Sequence, residues 1–95
     1  MIDPRKVVFR VHAIRRMFER GFAVRDVLHV LETGVVVADY PDDKPYPIRL
    51  LLGSREGRPI HVVAADDVAS GEMIVVTVYE PDLDHWEPGF ERRRA

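Results

Sequence analysis

Cysteine is absent from this sequence. That absence removes disulfide frameworks, cysteine nucleophiles and cysteine-based zinc sites together. No apolar run approaches the roughly 20 residues that a bilayer-spanning helix needs. The opening Met1-Ile2-Asp3-Pro4 carries no signal-peptide apolar core. The phosphate-loop pattern G-x-x-x-x-G-K-[ST], the dinucleotide pattern G-x-G-x-x-G and the hydrolase pattern G-x-S-x-G are also missing. His12, His29, His61 and His85 lack the spacing of metal ligands, so no cofactor or metal is expected. There is no net positive charge either: 14 basic residues against 16 acidic ones give −2. The net charge alone argues against a generally basic nucleic-acid coat protein. What is present is a chain of 95 residues, 46% hydrophobic, enough for one core in one domain over residues 1–95. A soluble cytoplasmic domain is the expectation.

The net charge conceals a segregation. Residues 5–25 hold Arg5, Lys6, Arg10, Arg15, Arg16, Arg20 and Arg25 against the single acid Glu19. Residues 66–87 hold Asp66, Asp67, Glu72, Glu80, Asp82, Asp84 and Glu87 with no Lys or Arg. Basic charge returns at Arg92-Arg93-Arg94. If folding gathers the N-terminal cations, they make one local positive field. Most are arginines, whose planar fork of donors suits phosphate and carboxylate better than the point charge of lysine.

Hydropathy periodicity predicts an α+β fold. Residues 6–10 read as a strand or extended arm. Residues 12–20 and 24–32 read as two helices, with Gly21 placed for a left-handed C-terminal cap and Ala23 as a poor N-cap. Val11, Ile14, Met17 and Phe18 fall on one arc of the first helix and are its expected core face. Residues 35–40, 48–52, 59–65 and 73–79 read as strands. Gly53 to Gly57 is the expected hairpin turn between the second and third of these. Residues 80–95 form a polar tail in which Leu83, Trp86 and Phe90 are expected to fold back, the last two on one helical turn. The whole assembles as an N-terminal helical hairpin packed on an antiparallel meander of about four strands, in two layers.

Two constellations carry candidate chemistry. His12, Arg16 and Arg20 follow steps of four residues, which rotate by only about 40° on a helix and so form one row. A solvated outer stripe is the plain alternative. The second comes from strand alternation. Taking Ile74, Val76 and Val78, Ile60, Val62 and Ala64, and Ile48, Leu50 and Leu52 as core sets leaves Arg49, Arg58, His61, Thr77 and Tyr79 on the face away from the helices. Cations, an imidazole and a phenol without a carboxylate suit a phosphodiester. Arginine stabilises developing charge, while histidine and tyrosine move protons.

The string His12-Ala13-x-x-Arg16-Met17-x-x-Arg20-Gly21, with Val27 and Gly34, resembles a bacterial family of unknown function, DUF4258. The resemblance continues through Tyr40-Pro41-Asp42-Asp43, Gly57-Arg58-Pro59-Ile60-His61-Val62-Val63 and Thr77-Val78-Tyr79-Glu80-Pro81-Asp82, then Trp86 and the closing arginines. Ala23 departs from the Ser or Thr usual there, and the helix that many relatives carry ahead of Phe9 is missing or short. The resemblance implies a fold similar to the RelE and barnase-like ribonucleases, and a toxin of a toxin–antitoxin pair with a small zinc-finger antitoxin as partner. The expected activity is metal-independent RNA cleavage by 2′-hydroxyl attack. His12 or His61 would be the base, with Arg58 and Tyr79 the other catalytic groups and Arg16, Arg20, Arg49 and Thr77 holding substrate. The alternative expectation is a non-catalytic module that binds RNA or a protein partner, with exposed strand edges giving a route to a homodimer. No membrane partner is expected.

Overall fold

The computed structural model describes residues 2–95. After a single 3-10 turn at Pro4–Lys6 come β1 (Val7–Phe9), α1 (Val11–Arg20), α2 (Val24–Thr33), β2 (Val35–Tyr40), β3 (Ile48–Arg55), β4 (Arg58–Asp67) and β5 (Glu72–Tyr79). The fold class is α+β. The sheet has five strands, not about four, in the order β1-β5-β4-β3-β2. Strands β2 to β5 form the expected antiparallel meander, and β1 adds to β5 in parallel, pairing Val7 with Met73 and Phe9 with Val75.

The helices lie on the sheet rather than on each other. α1 packs over β5, while α2 packs over β3 and β4. The expected helical hairpin is therefore replaced by two helices side by side on the sheet. The cause lies in which residues each helix buries. α1 buries Ala13 and Met17, and α2 buries Val27, Val30 and Leu31, all toward strand residues Leu51, Ile60, Val62, Ala64, Val75 and Val78. Small Ala13 lets α1 approach closely, and Phe22, just past the helix, supplies bulk to the same core.

Local chemistry accounts for the boundaries. Gly21 takes φ 72° and its N–H closes on Met17 and Phe18 carbonyls, as its position after Arg20 predicts. Ala23 cannot cap α2 with its side chain. Asp26 compensates, its carboxylate accepting the Ala23 N–H at 2.7 Å and pairing with Arg55 at 3.1 Å. The β3–β4 turn is shorter than predicted. Only Glu56 and Gly57 leave the ladder, both with positive φ, the signature of a two-residue I′ hairpin.

The strand alternation read from sequence holds for β4 but not for its neighbours. Ile60, Val62 and Ala64 face the helices and His61 faces away. In β3 the parity is reversed: Leu51 opposes Val62 and faces the helices, whereas Leu50 opposes Val63 on the other face. In β5 an irregularity at Val76 lets Val78 and Val75 both face the helices, where Ile74, Val76 and Val78 were expected. Residues 81–95 cross the remaining face. They do so without a helical turn at Trp86–Phe90: Trp86 is buried and bridges Arg93, and Phe90 takes φ 61°. Leu83 stays exposed.

Candidate functional site

The sheet separates the predicted site residues into two groups. His61, Thr77 and Tyr79 share the face crossed by the C-terminal segment, since His61 pairs with Tyr79 and Val63 with Thr77 in register. Arg49 and Arg58 lie on the helix side instead. Arg49 opposes Ala64, a core residue beneath the helices, and Arg58 shares the parity of Ile60. Placing Arg49 and Arg58 beside His61 is thus corrected. The reversed parity of β3 moves the first. The second follows from the β4 alternation itself, which puts Arg58 with Ile60 and not with His61.

On the covered face, His61 is 0% exposed. Its Nε2 lies 2.8 Å from the Phe90 carbonyl oxygen, which only accepts, so Nε2 carries the proton. In the neutral ring, Nδ1 then accepts from the Tyr79 hydroxyl at 3.1 Å. Trp86 and Tyr79 stand edge-on to the imidazole, with centroids 4.4 and 5.1 Å away. Both ring nitrogens are therefore engaged and no edge of the ring meets solvent. Burial pushes the His61 pKa down, partly offset by the bond to Phe90, and pushes the Tyr79 hydroxyl up. Beside this pair a groove of about 350 Å³ opens between Tyr40, Leu50, Val63, Tyr79, Trp86 and Arg93. The Arg93 guanidinium covers the Trp86 ring at 5.4 Å.

On the helix side, Arg58 is a clamp. One Nη2 donates to the Arg20 carbonyl at 2.8 Å and to the Glu80 carboxylate at 2.9 Å, and the guanidinium lies 4.6 Å over the Phe22 ring. The contact with Glu80 raises the Arg58 pKa and lowers that of Glu80. Arg58 thus ties the C-terminal end of α1 to the end of β5. Arg49 makes a two-pronged pair with Asp66, both contacts at 3.1 Å. His12, Arg16 and Arg20 are exposed, as a row on α1. The row is not free of acid: Glu19 reaches Arg16 at 3.5 Å, an i, i+3 pair.

The structure brings Arg20 and Arg58 together through the Arg20 carbonyl, and His61 and Tyr79 together through the ring. Sequence reasoning missed the partners that hold these residues: Glu80, Phe22, the Phe90 carbonyl and Arg93. A signal for one of them, Phe90, was present, since a lone tryptophan and a phenylalanine in an otherwise polar tail must find an apolar surface.

Fold and site together define a small α+β domain whose sheet is covered on both faces, by helices on one and by the C-terminal segment on the other. The domain model for a domain of unknown function, DUF4258, matches residues 9–80, and the chain belongs to that family. No curated protein and no solved structure shows significant similarity to it.

Proposed function

We propose that this domain contacts RNA through the exposed row His12, Arg16 and Arg20 on α1, within the RelE-like toxin group that its sequence resembles. The observation that carries the reading is which candidate residues remain available. His61, Tyr79, Arg58 and Arg49 are engaged by protein partners. His12, Arg16 and Arg20 present an imidazole and two guanidiniums to solvent from one side of a helix, Arg16 beside the equally exposed Glu19 at 3.5 Å. Exposed arginines in a row suit the spacing of backbone phosphates, with sequence preference left to other groups.

The test is fluorescence anisotropy of a labelled single-stranded RNA titrated with protein across NaCl concentrations. For single strands, each phosphate neutralised contributes roughly −0.7 to the slope of log K against log salt. The double substitution Arg16→Gln, Arg20→Gln should weaken binding at every salt and flatten the slope by about 1.4. Wild-type protein that fails to bind at low salt ends the RNA reading.

Cleavage is a second reading, favoured by one feature, the exposed imidazole of His12 in line with two guanidiniums. His12 would take the proton of a 2′-hydroxyl. The 2′-oxygen would then form a bond to phosphorus and expel the 5′-oxygen, which takes a proton from water and leaves a 2′,3′-cyclic phosphate. Arg16 and Arg20 would stabilise the negative charge on the pentavalent phosphorus. Incubation with RNA in EDTA should give cyclic-phosphate ends with wild type and none with His12→Ala. Equal backgrounds would leave the protein as a binder alone.

A further inference from the structure

The first helix leaves a large part of its apolar arc in solvent. Phe18 is 88% exposed, Val11 73% and Ile14 45%. Their spacing of i, i+3 and i+7 places them within about 60° on the helix wheel, as one stripe along α1. The residues that α1 buries, Ala13 and Met17, lie next to this stripe on the wheel. On the same count, the row His12, Arg16, Arg20 falls on the far side of that buried ridge. Single exposed apolar side chains are ordinary, but a phenylalanine, an isoleucine and a valine in line on a short helix form a contiguous patch.

Charge selects the occupant. On the wheel, Arg15 borders the stripe along its outer edge, and Arg10 sits at the helix N-cap. The only acid on α1, Glu19, is paired with Arg16. A second copy laid antiparallel along the stripe would set the two Arg15 side chains side by side, which disfavours self-association. The acidic C-terminal segment of the chain itself is engaged elsewhere, with Trp86 and Phe90 held on the opposite sheet face by His61. A partner with carboxylates flanking an apolar ridge meets neither obstacle.

We propose that Val11, Ile14 and Phe18 form a docking surface for an acidic amphipathic helix of a partner protein. The partner would lay apolar residues at i, i+3 or i+4 and i+7 along the stripe and place Asp or Glu against Arg15 and Arg10. α1 has ten residues, about 15 Å, and so accepts two to three turns of such a helix. Phe18 is the anchor, being the largest and most exposed of the three. The proposal stands apart from the RNA reading, because row and stripe occupy different sides of α1.

The experiment is selection of a displayed library of 18-residue helical peptides on the purified chain, with the Phe18→Ser variant as counter-target. Phe18 makes little contact with the core, so the variant should keep the wild-type circular dichroism spectrum. The expected result is enrichment of peptides with acidic flanks and an apolar ridge. A synthesised winner should bind wild type at least tenfold more tightly than Phe18→Ser, and lose affinity as salt rises. Enrichment of basic or neutral peptides, no enrichment at all, or equal binding to both proteins would overturn the proposal. So would a wild-type dimer in sedimentation that Phe18→Ser dissolves, which would assign the stripe to a second copy. Loss of RNA affinity in Phe18→Ser would overturn it too, by assigning the stripe to the nucleic acid.

Discussion

Replacing His61 with alanine should release the C-terminal segment from the sheet. The imidazole makes two buried hydrogen bonds, to the Phe90 carbonyl and the Tyr79 hydroxyl. Each is worth about 1 kcal/mol net, and more where the abandoned partner stays buried. Two edge-on aromatic contacts, with Trp86 and Tyr79, add roughly 0.5–1.5 kcal/mol each. Together these make a loss of about 3–5 kcal/mol, a large part of the roughly 5–14 kcal/mol expected for a domain this size. About half of the loss, from the Phe90 and Trp86 contacts, falls on residues 81–95, so the segment should open before the sheet does. Trp86 is the single tryptophan and lies against the ring, which makes its fluorescence a direct reporter. In His61→Ala its emission should shift to the red. The amides of Glu87 and Arg94, which bond to the Arg92 and His85 carbonyls, should exchange with solvent deuterium faster than those of β4. His61→Gln, which can still donate to Phe90 and accept from Tyr79, should recover part of the loss in urea denaturation. An unmoved Trp86 emission, with stability within about 1 kcal/mol of wild type, would refute the assignment of His61 as the pin. If RNA cleavage vanished in that same stable variant, His61 would return to the catalytic role.

Stability should fall as pH drops below about 6.5, because burial holds the His61 pKa below its ordinary value and the unfolded chain takes up the proton first. That contribution is complete above 6.5 and is lost as pH falls through the lower folded value. Urea midpoints at pH 8 and 5.5 check it, and a His61→Gln protein with the same slope would show the cause to lie elsewhere. The carboxylates lowered by partners, Glu80, Asp82 and Asp3, act in the same direction only nearer pH 4. Gly53→Ala should destabilise by about 1–3 kcal/mol, because an added Cβ would stand 2.5 Å from a methyl of the fully buried Val30. A Gly53→Ala midpoint equal to wild type in denaturant would refute this close approach of α2 to β3.

The parts of the fold legible from sequence are those where one physical rule acts alone. Gly21 ends α1 because the chain there needs positive φ, and β4 alternates cleanly from Ile60 to Ala64. The rule fails where two surfaces compete for the same strand. In β3, Leu50, Leu51 and Leu52 run consecutively, and both faces of the sheet are covered, so alternation carries no sign. Leu51 goes under the helices while Leu50 goes to the groove beside Trp86. In β5 the extra residue at Val76 shifts the phase midway, which no count of two can anticipate. The first helix misleads for another reason. Its apolar arc is wider than the face it buries, so Val11 and Phe18 were expected in the core and stand in solvent. For the candidate site, the residue types were legible but their neighbours were not. Arg58 and Glu80, or His61 and Phe90, meet only through the sheet register and the path of residues 81–95.

The parallel pairing of β1 with β5 has a consequence for how the chain reaches its fold. Val7 to Phe9 are synthesised well before their partners Met73 to Val75. The meander β2 to β5 closes through neighbouring segments, whereas β1 has no partner until β5 has left the ribosome. Until then the most cationic stretch of the chain stays without its strand pairing, close to a particle built of RNA. Such long-range pairing is slow relative to local hairpins. Deleting residues 2–9 should leave a meander with β5 as a bare edge, open to pairing with another chain.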